Sequence, residues 1–489
     1  MKTLIFKRTL LLGAIVIALS TMGLSCTFFQ SEDAVKEAQR PITLEFWGVF
    51  DEGSSFDPLI AAYRIEHPNV TINYRKFRPE EYEQEIIEAL AEDRGPDILA
   101  IHNTWVDKYI NKLAPMPPVM NISFVVTKGK VKQVTEAEVR QIKGYTPASI
   151  QEAFVPTVVD DVIRFIDGSP RILGLPFSVD TLALFYNQTL LRNTGVILAP
   201  PKYWAVSDDD PQATQKRVLF QDFVSQAARL TVFTDEMTRE IIQSGAAFGS
   251  ANNIARANDI LATLMLQNGS QMAGDSTVNF DYDPSFPRPL AVNPGVEALR
   301  FYTDFASPSK QIYVWNETFP ESFEAFAQGR TVMFFGYSYH ASQLASRAPQ
   351  LRLGVAPVPQ INPNRPAVSA NYWVNGVSRK SKNQEYAWDF LRFATQPEVL
   401  KGYLAAAKRP TPLRSLIDEQ KKDPQLEPFV SQLFYARNWY HGKNPSSMEN
   451  AFTEMINGAF QSKASSNEEH RAELTRLMDD AQKIIQNGW

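Results

Sequence analysis

The segment from residue 42 to residue 101 alternates between two hydrophobic periods, and this alternation limits the folds open to the chain. Three stretches have the apolar pattern of strands, and two have apolar residues at helical spacing. In chain order they are Ile42–Trp47 (strand), Phe56–His67 (helix), Val70–Phe77 (strand), Glu81–Arg94 (helix) and Asp97–Ile101 (strand). Repeated strand–helix alternation favours a mostly parallel sheet with helices on both faces, so the predicted fold class is α/β.

Two loops directly follow strands of this predicted sheet. Gly48–Gly53 follows the first strand, and His102–Trp105 follows the strand that ends at Ile101. Ligands of open α/β sheets bind outside the carboxyl ends of the strands. We therefore predict that both loops contribute to a binding site.

A long apolar stretch, Ile172–Gln188, predicts a buried strand that crosses between two halves of the molecule. Asp180 interrupts its apolar run, and a buried carboxylate at that position needs a partner. The residues leave two interpretations of Asp180 open, a cap at a strand end or a ligand-binding group at a cleft. The segment before the stretch, Ile150–Ile166, is predicted to be a helix.

The segment Pro115–Ile150 fits neither period and carries Lys128, Lys130 and Lys132. We interpret it as an insertion on the first half of the molecule, in the form of a solvated surface excursion.

The remainder of the chain is mainly helical, with short strands between the helices. Thr331–Phe335, Leu353–Pro359 and Tyr372–Ser378 are predicted strands, Gly336–His340 is a predicted loop and Ser207–Gln215 is an acidic loop. The predicted helices are Phe220–Leu230, Ile254–Asn268, Pro294–Ser307, Ser322–Gln328, Asn383–Ala394, Leu400–Ala407, Pro428–Trp439, Met448–Gln461 and Glu468–Gln486.

The chain has 489 residues, which is too long for one hydrophobic core, and two lobes are the simplest division. Its net charge is −5 with both signs interspersed, which gives no nucleic-acid or membrane-surface signature. We expect no nucleic-acid partner.

Residues 1–25 have the layout of an export signal, a basic start followed by the short apolar run Thr9–Leu19. Cys26 comes next and is the only cysteine, so an internal disulfide is impossible. Its position resembles the lipidation site of a bacterial lipoprotein, and the polar residues 26–40 are predicted to be a flexible tether. We expect an exported protein anchored by lipid to the outer face of the cytoplasmic membrane.

Enzymatic motifs are missing from the sequence. The five histidines show no metal-ligand spacing, and the chain has neither a nucleophile elbow nor a phosphate-binding loop. We therefore predict no cofactor, no metal and no catalytic residue. A glycosidase is the most plausible enzyme, since Asp51, Glu52 and Asp180 could supply its paired carboxylates. A structural surface lipoprotein without a small ligand is a third class.

Seven blocks carry a family resemblance when they are taken in order. They are ITLEFWG from residue 42, GPDILAIHNTW from residue 95 with LAPMP after it, ILGLPFSVDTLALFYNQTLL from residue 172, EAFAQGRTVMFFGYSYH from residue 324, LGVAPVP from residue 353, WVNGVSRKSKNQEYAWDFLRFAT from residue 373 and KRPTP from residue 408. Together they resemble the extracellular solute-binding proteins of ABC transporters, and most of all the carbohydrate-binding branch related to maltose-binding protein. The resemblance spans residues 41–465.

The resemblance implies a two-lobe fold of the periplasmic-binding-protein type II kind, with discontinuous lobes joined by crossing strands. The crossings would be Ser178–Thr181 and Ile361–Ala367. Lobe 1 would then comprise residues 41–179 and 366–405, and lobe 2 residues 182–360 and 406–489. Two departures from the family pattern are Tyr203-Trp204-Ala205-Val206, with an acidic insertion after it, and the length of the segment 115–150.

The family's ligand pocket, carried over block by block, implies a set of ligand-binding residues on six segments of the chain. They are Trp47, Asp51, Glu52, Asn103, Thr104, Trp105, Asp180, Tyr337, Ser338, Tyr339, Asn371, Tyr372, Trp373 and Arg409. Sugar sites need such a mixture of flat aromatic faces and polar groups. Trp47 and Trp373 also fit a core position, and Asp51 and Glu52 also fit a solvated turn.

The implied function is capture of a solute, most of all a sugar or oligosaccharide, in a cleft that closes by hinge motion. The partners would be the solute, the permease subunits of an ABC importer and the membrane through the lipid anchor, with the protein itself a monomer. A glycoside-processing enzyme and a binder of a peptide, a polyamine or another solute remain alternatives, because one scaffold accepts different ligands by loop variation.

Overall fold

The computed structural model describes residues 38–128, 134–192, 200–205, 222–235, 237–274, 277–282, 293–462, 464 and 466–489. The predicted signal segment 1–25, Cys26 and the tether up to residue 37 lie outside the described residues, as do the acidic loop 207–215, Lys130 and Lys132. Within the described ranges, no helix has the length and apolar character needed to cross a bilayer.

The strands of the described residues are short and distributed along the whole chain. They are β1 (Ile42–Gly48), β2 (Val70–Lys76), β3 (Ile98–His102), β4 (Val119–Lys128), β5 (Val134–Lys143), β6 (Ile163–Ile166), β7 (Ser169–Ile172), β8 (Leu175–Pro176), β9 (Asp180–Thr181), β10 (Ala183–Asn187), β11 (Val232–Phe233), β12 (Ile241–Ala246), β13 (Ser270–Ala273), β14 (Val278–Tyr282), β15 (Thr331–Gly336), β16 (Leu353–Pro357), β17 (Val368–Asn371), β18 (Trp373–Val377) and β19 (Ala436–Arg437).

The α-helices cover the sheets and form most of the C-terminal part. They are α1 (Gly53–Glu66), α2 (Pro79–Ala91), α3 (Val106–Tyr109), α4 (Pro147–Ala153), α5 (Pro156–Val162), α6 (Gln188–Arg192), α7 (Phe223–Leu230), α8 (Ala257–Asn268), α9 (Pro294–Asp304), α10 (Ser322–Ala327), α11 (Ser338–Arg347), α12 (Gln384–Ala394), α13 (Pro397–Ala407), α14 (Ile417–Gln420), α15 (Glu427–Val430), α16 (Pro445–Phe460) and α17 (Asn467–Gln486).

The first sheet has the strand order β2-β1-β3-β18-β8. Strand β1 pairs in parallel with β2 and β3, as the β–α–β alternation predicts. Strand β18, which comes from far along the chain, pairs antiparallel with β3 and with β8. The amino end of β18 therefore lies beside the carboxyl end of β3, with Trp373 opposite His102.

The second sheet has the strand order β11-β12-β15-β10-β16. Its central strand β15 is buried along its whole length and pairs in parallel with β12 and antiparallel with β10. Trp204 is buried beside this sheet, with its ring centroid 5.4 Å from that of Phe335 and its Nε1 donating to Gln267 Oε1 at 2.9 Å. Trp204 is thus a core residue, although residues 203–206 depart from the family pattern.

The stretch Ile172–Gln188 crosses between the two sheets, but it is not one strand. It contributes β8 to the first sheet, β9 to a three-stranded sheet of order β19-β17-β9 and β10 to the second sheet. Pro176 has no N–H to donate to a ladder, which favours a short strand there. The predicted single strand is therefore corrected to three short strands, each in a different sheet.

Residues 119–143 form a long hairpin rather than an irregular solvated excursion. Strands β4 and β5 pair antiparallel from Val119–Lys143 to Lys128–Val134. One face packs on the protein body, since Met120 and Ile122 are fully buried and Tyr386 Oη accepts from the backbone N–H of Ser123 at 3.3 Å. The expectation of a solvated excursion was wrong because this face is anchored on α12.

Three further local predictions were wrong. The predicted helix Ile150–Ile166 is divided into α4, α5 and β6, with Pro156 at the start of α5. The predicted helix Pro428–Trp439 contains only α15, a 3-10 turn and β19. The predicted loop Gly336–His340 already contains the first turn of α11, which begins at Ser338.

Candidate functional site

A cavity of about 330 Å³ lies between the two sheets and the three-stranded sheet. The first sheet contributes residues that follow the carboxyl ends of β1 and β3 and residues at the amino end of β18. The second sheet contributes Tyr339, which follows β15, and the helices α8 and α16 contribute a further wall. The location agrees with the rule that ligands bind at the carboxyl ends of strands.

Most of the residues predicted to bind ligand line this cavity. They are Asp51, Thr104, Trp105, Asp180, Asn371, Tyr372, Trp373, Tyr339 and Arg409. They come from six separate segments of the chain, which the structure brings together around the cavity.

Five predicted residues do not line the cavity, and Trp47 is the clearest case. Side chains alternate along a strand, so Phe46 and Gly48 face the cavity and Trp47 faces the other side of the first sheet. There its ring centroid lies 4.7 Å from that of Phe77, and the side chain is buried. Trp47 is therefore a core residue.

The other four predicted residues outside the cavity have protein partners. Glu52 is exposed and pairs with Lys76 at 2.5 Å. Asn103 is buried, and its Nδ2 donates to Asp161 Oδ2 at 3.4 Å. Tyr337 is fully buried and donates to Asp259 Oδ2 at 2.8 Å, and Ser338 donates to Asp180.

Arg409 forms a charged cluster with two carboxylates of the cavity lining. Its Nη2 lies 2.7 Å from Asp51 Oδ1, and its Nη1 lies 3.9 Å from Asp180 Oδ2. Tyr403 donates to the other Asp51 oxygen at 2.7 Å. The Asp51 carboxylate is thus held by a cation and a hydroxyl of the protein itself.

Asp180 lies where the chain passes between the sheets. Its Oδ2 accepts from the backbone N–H of Ser338 at 2.9 Å and from the Ser338 hydroxyl at 2.6 Å. Burial raises the pKa of this carboxyl to about 6, although Arg409 and the Ser338 donors act in the opposite direction. Asp180 therefore caps the first turn of α11, rather than a strand end, and also lines the cavity, while its role in ligand binding stays a prediction.

Aromatic rings form much of the cavity surface. The rings of Trp105 and Trp373 meet edge to face, with centroids 5.6 Å apart and planes at 76°. Phe50 lies 5.8 Å from Trp373 and stacks on Tyr339. His102 lies beside both tryptophans, and burial lowers its pKa to about 4, so this imidazole is neutral at neutral pH.

Several cavity residues were missed by the sequence reasoning. They are Arg256, Asn258, Asp259, Arg437, Asn438, Trp439, Met448, Glu449 and Phe452, while Phe50 and His102 were included only as parts of the two candidate loops. The segment at 437–439 was assigned to a helix, which hid its loop character. The polar cluster at 256–259, at the start of a predicted helix, was the one available signal.

Arg256 and Asn258 form a polar wall of the cavity. Arg256 Nη1 contacts Asp259 Oδ2 at 3.4 Å, and Asn258 Nδ2 donates to the Glu449 carbonyl at 3.1 Å. Among the described residues, Arg256 Nε and Asn258 Oδ1 are buried and have no hydrogen-bond partner. The wall thus has one hydrogen-bond donor and one acceptor without a partner, on residues two positions apart in the sequence.

Across the described part of the chain, no three histidine, cysteine, aspartate or glutamate residues are placed to hold a metal ion.

Comparisons with known proteins identify the family. Residues 58–428 match a family model described as bacterial extracellular solute-binding protein. A binding protein of Brucella abortus (strain 2308) is 20% identical over 350 residues, which are 71% of this chain and 69% of that relative. The family is one of extracellular binding proteins, so the chain is an exported protein rather than a member of an enzyme family.

Solved structures show the same fold at low sequence identity. The cyclic α-maltosyl-1,6-maltose binding protein from Arthrobacter globiformis is 16% identical with a TM-score of 0.66, covering 92% of this chain and 100% of its own. The sugar-binding protein MalE from Xanthomonas citri is 18% identical with a TM-score of 0.63, covering 91% and 98%. An ABC transporter solute-binding protein from Thermotoga lettingae, bound with α-D-tagatose, is 16% identical with a TM-score of 0.62, covering 91% and 100%.

The two five-stranded sheets, the strands that cross between them and the cavity at their junction thus agree with both comparisons. The chain belongs to the bacterial extracellular solute-binding proteins and has their two-lobe α/β fold with discontinuous lobes.

Proposed function

We propose that this protein captures a sugar or oligosaccharide in the cavity and delivers it to the permease of an ABC importer. The observation that carries the proposal is the pairing of an aromatic wall, Trp105 and Trp373, with a polar wall, Arg256 and Asn258. Aromatic faces pack against the C–H faces of a pyranose, and polar groups bind its hydroxyls. The solved relatives that bind tagatose and maltosyl sugars support the same class of solute.

Hydroxyl groups fit the polar wall better than a single charge does. A sugar hydroxyl both donates and accepts, so neighbouring hydroxyls can satisfy the Arg256 donor and the Asn258 acceptor together. A carboxylate would satisfy Arg256 alone and would lie near the carboxylates of Asp259 and Glu449, which also line the cavity. The wall therefore favours a neutral polyol over an anion.

We propose lobes of residues 41–179 with 366–405 and 182–360 with 406–489, as the resemblance implies. The strands of the first five-stranded sheet all come from the segments proposed for lobe 1, and those of the second all come from residues 182–360, which supports this division. The beginning of the segment 406–489 contacts lobe 1. The backbone N–H of Val155 donates to the Pro412 carbonyl at 3.0 Å, and that of Val179 donates to the Pro410 carbonyl at 3.1 Å. Closure would then bend the chain at β9 and β17, which pair with each other.

Cys26 is proposed to carry the lipid that holds the monomeric protein on the outer face of the cytoplasmic membrane, where the permease would receive the solute. Cys26 lies outside the described residues. Mass spectrometry of protein from membranes, compared with a Cys26→Ser variant that should be released in soluble form, tests the anchor.

Ligand binding is tested by thermal unfolding of the purified protein with maltotriose, tagatose and acarbose, and with spermidine and a tripeptide as alternative solutes. A solute present at 100 times its Kd stabilises the folded state by about 2.7 kcal/mol, so a true ligand raises Tm. Stabilisation by spermidine or the tripeptide and by none of the sugars would contradict the sugar proposal. Release of a smaller sugar from an oligosaccharide would instead establish a glycosidase.

A further inference from the structure

Asp161, near the end of α5, is a fully buried carboxyl that does not line the cavity but contacts three segments that do. The Tyr372 hydroxyl donates to its Oδ2. Asn438 Nδ2 donates to its Oδ1 at 2.8 Å, and Asn103 Nδ2 approaches its Oδ2 at 3.4 Å. One carboxylate thus receives donors from three distant parts of the chain.

Each of these three donors lies next to residues of the cavity surface. Asn103 precedes Thr104 and Trp105, Tyr372 lies between Asn371 and Trp373, and Asn438 lies between Arg437 and Trp439. Tyr372 and Asn438 also line the cavity themselves. Asp161 is therefore hydrogen-bonded to each of the three segments that carry a tryptophan of the cavity.

The charged and titratable groups around Asp161 are few. Arg164 is bound to Asp107 at 2.7 Å, and His441 lies 3.8 Å from Asp161, while burial lowers the pKa of His441 to about 4. Asp160 is next to it on the same helix, and the Thr157 hydroxyl lies 3.5 Å from Oδ2. Burial raises the pKa of Asp161 to about 7, against the opposing effects of Tyr372, Asn438 and the charge of Arg164.

We propose that Asp161 is a positioning residue for solute binding, whose ionised carboxylate holds Asn103, Tyr372 and Asn438 in the arrangement that binds the solute. A protonated carboxyl is itself a hydrogen-bond donor and has fewer acceptor sites than a carboxylate. It therefore accepts the three hydrogen bonds less well than the carboxylate does. Solute affinity therefore falls when Asp161 takes up a proton. The inference rests on the proposed function only for the use of a sugar as the probe.

The test is the pH profile of Kd for maltotriose, measured by calorimetry between pH 8 and pH 6. In the wild-type protein Kd rises as pH falls, by up to about tenfold per pH unit for one linked proton. Asp161→Asn binds about tenfold more weakly at pH 8, because the NH₂ group of the amide replaces an oxygen that accepts hydrogen bonds. Its Kd changes little with pH, since the amide does not titrate. Asp160→Asn, a neighbouring exposed carboxyl, keeps the wild-type pH dependence. An Asp161→Asn profile parallel to that of the wild type would overturn the proposal.

A second readout does not depend on the sugar. Tryptophan fluorescence of the ligand-free wild-type protein should change between pH 8 and pH 6, since Trp105, Trp373 and Trp439 are carried by the three held segments, and the change should be lost in Asp161→Asn. A change that persists in that variant overturns the positioning role. A change that is lost there, together with no maltotriose binding at any pH, retains the positioning role and contradicts the choice of sugar.

If Asp161→Asn does not fold, Tyr372→Phe removes one donor and leaves the carboxyl in place. Because the hydrogen bond from Tyr372 favours the ionised form, its loss should move the midpoint of the pH profile of Kd to a higher pH. An unchanged midpoint in a folded Tyr372→Phe protein contradicts the proposal.

Discussion

The ring of Phe50 stacks on the ring of Tyr339, with centroids 5.6 Å apart and planes at 17°. Phe50 follows β1 of the first sheet, and Tyr339 lies in the first turn of α11, which follows β15 of the second sheet. Both rings line the cavity, so this stack is a direct contact between its two sides. The contact therefore joins the two sides of the cavity and forms part of its aromatic surface.

Phe50→Ala should make the ligand-free protein more open and its solute binding weaker. An aromatic pair contributes about 0.5–1.5 kcal/mol, which corresponds to a roughly 2–12-fold rise in Kd if the closed form keeps the stack. Small-angle X-ray scattering measures the opening, and calorimetry measures Kd. Phe165→Ala is the matched control, since that ring is 79% exposed and lies outside the cavity lining. Equal behaviour of the two variants would exclude a role for the stack.

Trp105→Ala should weaken sugar binding by about tenfold or more, because the variant loses an aromatic face of the cavity. Trp47→Phe is the informative comparison, since Trp47 belongs to the core of the first sheet. That variant should lower Tm and leave Kd unchanged. Calorimetry with a binding sugar and thermal unfolding of both variants make the comparison, and a large change of Kd in Trp47→Phe would contradict the assignment of this residue to the core.

Arg409→Gln should lower the free energy of unfolding by about 1–3 kcal/mol, because it leaves the Asp51 carboxylate largely buried without its cation. The double variant Asp51→Asn/Arg409→Gln should regain part of this loss, which denaturant unfolding can measure as a coupling energy. Arg476→Gln, at a pair whose arginine is 64% exposed, should change stability very little. Additive effects of the two cavity substitutions would show that the pair is energetically unimportant.

Asp180 should make a measurable contribution to the pH dependence of stability. Burial raises its pKa to about 6 in the folded protein, from the usual value near 3.8. The folded state then binds the proton more tightly than the unfolded state does. The resulting contribution to stability is fully present at a pH below the usual pKa and is lost as pH rises through about 6. Tm of the wild type minus Tm of Asp180→Asn should therefore increase as pH falls from 7 to 4. A difference that is constant over this range would mean that Asp180 does not titrate with a raised pKa.

Gly174→Ala should destabilise the junction between the first sheet and the crossing segment. A Cβ atom at this position would lie 2.4 Å from Val374 Cγ1 and 2.8 Å from the Asn375 carbonyl oxygen. Relief of that overlap requires β8 and β18 to separate, and we expect a loss of roughly 1–3 kcal/mol in denaturant unfolding. Gly53→Ala is the control, since its nearest neighbour would be Tyr74 Cδ1 at 3.7 Å.

Local patterns were sufficient to predict the first half of the first sheet. The predicted strands at 42–47, 70–77 and 97–101 agree with β1, β2 and β3 to within one residue at each end, because each buries a local apolar run between helices. The hairpin β4–β5 could not be predicted in this way, since its buried face contacts α12, more than two hundred residues away in the chain. Residues 437–439 were assigned to a helix for a similar reason, as β19 exists only through its pairing with β17.

The site was predicted where strand ends and the family resemblance pointed to the same loops, as at Thr104, Trp105 and Trp373. It was missed where helices supply the wall, as at Arg256 and Glu449, because a polar residue on a helix usually faces solvent. Trp47 was misplaced because the pattern of one strand does not reveal which face of a sheet borders a cavity.

The sequence by itself determined the α/β class, the parallel start of the first sheet and the family, since these depend on periodicity within short segments and on the order of the blocks. Only the tertiary structure decided that Asp180 caps α11, that Phe50 meets Tyr339 and that Asp161 lies beneath three cavity loops. Each of these contacts joins residues that are far apart in the chain. Their burial and hydrogen bonds depend on how the two sheets come together, which no local pattern contains.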